Sequence, residues 1–138
     1  MKVDIVVDTR GIQGIEARLP LLSAVVRKAA LDVEAWAKLA VQSPPKTGRV
    51  YKRAGGKRHQ ASAPGEAPAT DTGNLVNSIG IRPAGKDTWA VFARAKYALG
   101  LEVGTARVAA RPFMVPALLR VRPVLEKAIA KVLFGGQP

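Results

Sequence analysis

One stripe of apolar side chains, spaced three or four residues apart, is the sequence feature that most restricts how this chain folds. Its members are Leu22, Val25, Ala29, Val33, Trp36 and Ala40. Because this spacing places side chains on one face of a helix, it predicts a long amphipathic helix from near Ile15 or Pro20 to Val41. The "SPPKTG" that follows should end the helix, because proline disfavours the helical conformation of the residue before it.

A second long helix is predicted near the end of the chain. It should start between residues 113 and 117, with Pro112 or Pro116 in its first turn, where a missing N–H costs little. The glycines of "FGG" should end it at about Leu133. Pro123 lies inside this segment and predicts a kink or a break just before it.

Shorter elements are predicted before and between these helices. Apolar and polar residues partly alternate over residues 2–7, which favours a half-buried strand. The stretch "DTGNLVNSI" favours a short helix with Asp71 or Thr72 as its N-cap. Residues 79–82 and 88–94 predict a hairpin around "PAGKD".

The order of these elements predicts the fold class. Residues 95–104 favour a further short helix, so strands and helices follow each other without a repeat. We therefore expect an α+β fold, with two long helices packed on one face of a small, mostly antiparallel sheet. The length of 138 residues and the 48% hydrophobic content fit a single domain over residues 1–138.

A basic insertion interrupts this domain at residues 43–70. It contains four prolines, four glycines, six Lys or Arg and one acid, and shows no helical or strand period. We expect a long flexible loop, because such connections in small domains are functional or disordered. Its cations, with one tyrosine between them, are Lys46, Arg49, Tyr51, Lys52, Arg53, Lys57 and Arg58.

The charge of the whole chain bears on its partners. There are 22 basic and 10 acidic residues, giving a net charge of +12. This excess favours a polyanionic partner, either nucleic acid or an acidic protein surface; a merely solvated basic surface is the alternative. A flexible cationic loop suits a phosphate backbone, whereas one tyrosine is a poor platform for base stacking. The loop is alternatively a solvated segment that orders only against a partner protein.

Neither the composition nor the motifs indicate an enzyme. There is no cysteine, which excludes disulfides and thiolate metal sites and fits a reducing cytoplasm. The single histidine, His59, lies in the basic loop without a partner to orient it as a base. The acids are scattered, and Gly56-Lys57 lacks the Ser or Thr of a phosphate-binding P-loop. We expect no metal, no cofactor and no small-molecule substrate, and no apolar run approaches the roughly 20 residues that cross a membrane.

Glu102 is the acid with the most apolar neighbours, Leu101 and Val103. A partly buried carboxylate needs a partner to offset its loss of hydration. Arg107 and Arg111 are close in sequence and predict an intrachain salt bridge. A contact across a subunit boundary is the alternative, and the residues alone do not separate the two.

Three segments together carry a family resemblance. "DTGNLVNSI", "YALGLEVGT" and "ARPFMVPAL" occur in this order, and "SPPKTGRVY" precedes them. Over residues 29–133 the chain resembles the neck or tail-completion proteins of long-tailed double-stranded DNA bacteriophages, with a basic insertion. The matching positions are Thr72, Gly73, Leu75, Ser78, Ile79, Tyr97, Ala98, Glu102, Gly104, Thr105, Pro112, Phe113, Pro116, Ala117 and Leu118.

The resemblance implies a virion structural protein without catalytic activity. Such proteins form a ring that completes the tail and helps to join it to the DNA-filled head. The resemblance implies six copies, and as partners the head-closure, tail-terminator or tail-tube proteins. The basic loops would then face DNA in the channel or acidic neighbouring rings. A small nonspecific nucleic-acid-binding protein is the alternative from charge alone, and a nuclease would need clustered acids that the sequence lacks.

Overall fold

The structure is a computed structural model that describes residue 14, residues 16–43 and residues 46–135. The strand predicted for residues 2–7 lies outside these ranges. The described elements confirm the α+β class, with four helices and two antiparallel hairpins. None of the described helices is both long and apolar enough to cross a membrane.

Helix α1 spans Leu19–Gln42 and confirms the first long helix. Pro20 lies in its first turn, and the extended Ser43 ends it. The buried face is shifted by about one position from the predicted stripe. Its members are Ala29, Ala30, Val33, Ala37 and Val41. Small side chains in this face allow close packing, and the larger Trp36 stays half-buried beside them.

The basic insertion contains a hairpin that the sequence analysis did not predict. Strand β1 spans Val50–Lys52, and strand β2 spans Arg58–Gln60 and pairs with it antiparallel. The backbone N–H of Arg53 donates to the carbonyl of Lys57 at 2.9 Å and closes the turn. Strands of three residues, mostly exposed, contain too few alternations to produce a period of two. Residues 43–70 are therefore more regular than we expected.

Helix α2 spans Asn74–Ser78, where a short helix was predicted, but its N-cap is Gly73. The prediction of Asp71 or Thr72 as the N-cap is wrong. Gly73 has a φ of 79°, a conformation that glycine adopts without cost, and its carbonyl accepts the N–H of Asn77 at 2.9 Å. The cap therefore depends mainly on backbone geometry, and the Thr72 hydroxyl adds one long contact by accepting the N–H of Asn74 at 3.5 Å.

Strands β3 (Ile79–Gly85) and β4 (Thr88–Ala93) form the predicted hairpin. Strand β3 is longer than predicted. Pro83 still pairs with Trp89, and the strand then continues past a bulge to Gly85. Proline at a bulge or an edge removes no ladder hydrogen bond, so the strand continues through it.

Helices α3 (Ala98–Val103) and α4 (Met114–Phe134) match the two predicted C-terminal helices. Helix α4 ends at Gly135, as predicted. It continues across Pro123, so the predicted break is wrong, and a kink stays a prediction. Because proline has no N–H, the carbonyl of Leu119 has no donor inside the helix. Both Leu119 and Pro123 are exposed, so water can donate to that carbonyl.

The core lies where α1 packs against α4 and covers the β3–β4 hairpin. Phe113, just before α4, is 1% exposed and is the largest fully buried side chain of the described residues. The guanidinium of Arg120 lies 3.8 Å from the centre of the Trp36 ring and joins α4 to α1. The other members from α2, β3, α3 and α4 are Leu75, Val76, Ile79, Ala98, Ala117 and Val121.

Candidate functional site

The predicted cationic residues divide into two groups with different roles. Lys46 and Arg53 interact with the rest of the fold, whereas Arg49, Lys52, Lys57 and Arg58 have exposed side chains. The sequence grouped them by proximity alone. The fold separates them because Lys46 and Arg53 lie outside the strands and find acceptors there, Lys46 at two backbone carbonyls and Arg53 at Asp71.

Lys46 is turned into the domain. Its Nζ donates to the carbonyl of Ala40 in α1 at 2.8 Å and to that of Ala67 at 2.9 Å. Burial lowers the pKa of Lys46, and the nearby charge of Glu66 opposes this shift. Lys46 therefore ties the insertion to the end of α1. The prediction that Lys46 faces a partner, like the other cations of the insertion, is therefore wrong.

Arg53 is also occupied, because its guanidinium forms an ion pair with Asp71. This pair links the turn of the first hairpin to the segment before α2. Both side chains are partly exposed, at 33% and 40%. Arg53 therefore helps to orient the hairpin.

The other exposed cations lie on the hairpin itself. Lys52 and Arg58 are direct cross-strand partners and share a face with Val50 and Gln60. All four residues are exposed, so we call this the outer face. Lys57 lies in the adjoining turn and is also exposed. Two like charges therefore stand opposite each other at the surface.

Tyr51 and His59 form the next cross-strand pair on the opposite, inner face. Their ring centres are 5.4 Å apart, and the ring planes are inclined by 57°. His59 is half-buried in a strand, so its predicted place in an irregular loop is wrong. With Asp71, Tyr97 and others these rings line an open cleft of about 460 Å³.

Glu66 fixes the base of the insertion. Its carboxylate accepts the N–H of Thr47 at 3.0 Å, the N–H of Ala63 at 2.8 Å and the hydroxyl of Thr47. These hydrogen bonds, chiefly that of the Thr47 hydroxyl, lower the pKa of Glu66 to about 2, with a small contribution from Lys46. The single acid of the insertion therefore closes the loop at its base.

Glu102 has a partner that the sequence analysis missed. Its Oε2 accepts the backbone N–H groups of Phe113 at 2.8 Å and Met114 at 3.0 Å, and its Oε1 accepts that of Val115 at 2.8 Å. Glu102 therefore caps the N-terminus of α4, where N–H groups have no partner inside the helix.

The predicted salt bridge of Glu102 with Arg107 or Arg111 is wrong for the described residues. Arg111 instead donates to the carbonyls of Ser62 and Ala109, each at 3.2 Å. The N–H of Arg111 also donates to the carbonyl of Leu101 at 2.6 Å. These hydrogen bonds turn the segment between α3 and α4 back toward α3. Glu102 therefore reaches the start of α4, which begins 12 residues later in the sequence.

One signal in the sequence was available for this cap. The residue at the start of α4 is Phe113, and neither it nor Pro112 offers a side-chain oxygen. A helix without Ser, Thr, Asp or Asn at its N-cap needs an acceptor from elsewhere. Glu102 was the only acid between Asp87 and Glu126.

The residues of the family resemblance converge on one corner of the molecule. Leu75, Ile79, Ala98, Phe113 and Ala117 all belong to the same buried cluster. Other members fix the backbone around it. Gly73 and Gly104 cap α2 and α3, the hydroxyl of Ser78 donates to the carbonyl of Leu75, and Thr105 accepts the N–H of Val108.

Five members of the set are exposed. Tyr97 and Leu118 are each 50% exposed, and Thr72, Thr105 and Pro116 are also exposed. Pro112 is half-buried beside Phe113. The basic hairpin and the corner are connected at the base of the insertion, where the N–H of Gly65 donates to the carbonyl of Ala110 at 3.0 Å.

The described residues contain no group of three His, Cys, Asp or Glu that could hold a metal ion. Comparison with known proteins found no matching family model, no matching curated protein and no matching solved structure. The resemblance to phage neck proteins therefore stays a prediction based on the quoted segments.

Proposed function

We propose that the chain is a non-enzymatic structural subunit of the neck or tail end of a long-tailed bacteriophage virion. It forms a ring that completes the tail and helps to join it to the DNA-filled head. The observation that supports this most is the corner built by the resemblance residues. There, Glu102 of α3 accepts N–H groups at the start of α4 and Phe113 fills the core, so the segment fastens α3 to α4.

The surroundings of Glu102 support a structural role for it. Both carboxylate oxygens accept backbone N–H groups, so the oxygens are already occupied in the chain itself. A general acid or base needs a proton acceptor or donor position open to a substrate. A carboxylate that caps a helix is consistent with a structural protein.

The exposed apolar residues of α3 support assembly. Leu99 and Val103 lie one turn apart and are 71% and 68% exposed. Exposed apolar clusters of this kind are typical of surfaces that contact another protein. Contacts of one face of a subunit with a different face of the next generate rings. We propose that α3 contacts a second copy of the chain.

The charge then restricts what surrounds the ring. Six copies, the number that the resemblance implies, would carry about +72 from the +12 of each chain. Such a charge needs counter-charge from DNA in a channel or from acidic neighbours. As neighbours we propose head-closure, tail-terminator or tail-tube proteins. The protein would be made in the host cytoplasm and retained in the virion.

A joining assay tests the proposal. A lysate of the encoding phage with this gene deleted should accumulate unjoined filled heads and tails, visible by electron microscopy. Adding the purified protein should restore infectious particles. A matched sample of protein denatured by heat serves as the control. A deletion lysate with normal numbers of joined, infectious particles would contradict the proposal.

A further inference from the structure

The first hairpin carries a charge arrangement that is unfavourable in the isolated chain. Lys52 and Arg58 are directly opposite each other, and Lys57 follows in the turn. Like charges in cross-strand positions destabilise a hairpin. Asp71, the acid that pairs near this turn, is bound to Arg53 and not to any of the three. An anionic partner on the outer face would relieve the repulsion.

The hairpin is also held in place before any partner arrives. Lys46 fastens its base to α1, Arg53 holds its turn to Asp71, and Glu66 closes the loop below it. The backbone of Gly48 lies against Ser62, so closely that an added Cβ would be 2.5 Å from the carbonyl oxygen. Binding to a fixed surface costs less ordering than binding to a loose arm.

The composition of the outer face favours a phosphate backbone over an acidic protein. Besides its cations it presents only Val50 and Gln60 from the strands. Protein interfaces need a desolvated centre, usually with aromatic side chains. Here the aromatic residues Tyr51 and His59 lie on the inner face and contact each other. Cations beside a single exposed valine, with no aromatic side chain on the same face, suit the backbone of nucleic acid.

The same arrangement favours duplex over single-stranded nucleic acid. Single strands are bound by stacking their bases on aromatic side chains next to cations. On this hairpin the rings and the cations of the outer face point to opposite sides. A duplex, whose bases are already stacked, needs only the phosphate contacts.

We propose that the first hairpin binds the phosphate backbone of duplex DNA without sequence preference, through Lys52 and Arg58 on its outer face and Lys57 in the adjoining turn. Lys46 and Arg53 are positioning residues that hold the hairpin. The inference goes beyond the proposed function, because a ring can complete a tail without touching DNA through this hairpin.

Fluorescence anisotropy with a labelled 20-base-pair duplex at several salt concentrations tests this inference. The variant is Lys52→Gln with Lys57→Gln and Arg58→Gln. The matched control is Lys86→Gln with Lys96→Gln and Lys127→Gln, which removes the same charge from exposed positions elsewhere. Circular dichroism and urea unfolding confirm that both variants are folded, and Lys52→Arg with Lys57→Arg is a charge-preserving variant that should bind normally.

The two triple variants should differ in salt dependence. Each lost phosphate contact lowers the slope of log K against log salt by about 0.9, so the hairpin variant should lose about 3 in slope. Its affinity at 0.1 M salt should fall roughly five-hundredfold by the same relation. The control should keep the native slope to within about 1.

Three results would overturn the inference. Equal losses in both triple variants would mean that the net charge and not the hairpin binds DNA. Tighter binding of a single strand of equal charge would require base stacking. Tighter binding of polyglutamate at the same salt would assign the outer face to an acidic protein. The binding assay uses the isolated chain. Its failure would leave the proposed function standing, and failure of the joining assay would leave the DNA-binding inference standing.

Discussion

At the scale of single residues, charges from distant parts of the chain stabilise both ends of helix α4. Glu102 accepts three N–H groups at its N-terminus, and the guanidinium of Arg18 donates to the carbonyls of Val132 and Leu133 at its C-terminus. Both charges have the sign that compensates the helix dipole. They also fix α4 to α3 and to the start of α1.

Replacing Glu102 with Gln should destabilise the fold. The amide loses the negative charge and one of the two acceptor oxygens that the three N–H groups require. We expect a loss of about 1–3 kcal/mol in the free energy of unfolding, measured by urea denaturation near neutral pH. The control is Glu126→Gln, which removes a surface ion pair with Arg122 and should cost less than about 1 kcal/mol. Equal effects of the two changes would contradict the capping role.

Glu66 makes the stability of the insertion depend on pH. Hydrogen bonds in the folded state lower its pKa from an ordinary value of 4.5 to about 2. A lowered pKa stabilises the fold above the unfolded value, and this contribution is lost as the pH falls towards the folded value. The native protein should therefore be more stable than Glu66→Gln near neutral pH.

The difference between native protein and Glu66→Gln should shrink as the pH falls from about 4.5 towards about 2. Urea midpoints of both proteins over this range measure it. Other acids titrate in both proteins, so their contributions to stability cancel when the two are compared. A difference that stays constant over the range would mean that the Thr47 and Ala63 contacts do not depend on the charge of Glu66.

At the scale of elements, the long helices were predictable and the first hairpin was not. A stripe of six apolar residues predicted α1, although the buried face is shifted from that stripe, and proline and glycine mark both ends of α4. Strands β1 and β2 have three residues each and bury little, so they leave no periodic signal. What holds them is a set of side-chain bonds to distant backbone groups, such as those of Lys46.

The candidate site was predictable to a similar extent. The sequence identified the basic cluster and singled out Glu102 as unusual. It could not show that Lys46 and Arg53 interact with the fold, because their acceptors lie far away in the sequence or on another element. Nor could it show that Lys52 and Arg58 share a face, because that follows from the strand register. Nor could it show the partner of Glu102, because backbone N–H groups look alike at every position.

The base of the first hairpin should tolerate no side chain at position 48. In Gly48→Ala the new Cβ would lie 2.5 Å from the Ser62 carbonyl oxygen and 2.7 Å from that of Ala61. Since backbone must move, we expect a loss of about 1–3 kcal/mol and faster amide exchange in β1 and β2, measured by urea unfolding and hydrogen exchange. Gly14→Ala, with no atom within 4 Å, is the matched control. Unchanged exchange in the hairpin would contradict the close packing.

At the scale of the whole molecule, the described surface combines basic residues on the first hairpin with apolar residues on α3. The two features have different expected partners. We propose that the hairpin binds duplex DNA and that α3 contacts a second copy of the chain. They should therefore respond separately to mutation.

Leu99→Ser with Val103→Ser should weaken self-association and leave the fold intact, because both side chains are largely exposed. Light scattering after size exclusion should give a discrete multiple of the 14.6-kDa chain for the native protein and a smaller mass for the variant. Leu21→Ser with Leu31→Ser, on exposed positions of α1, is the control and should keep the native mass. Equal dissociation in both variants, or a native protein that stays monomeric, would contradict assembly through α3.

Protein mass spectrometry of gradient-purified phage particles whose genome encodes this chain tests the proposed virion role. The chain should be retained in the finished particle at a fixed and low copy number, about six per virion by the family resemblance. It should be missing from filled heads that carry no tail. Complete and infectious particles that contain none of this chain would contradict the proposed role.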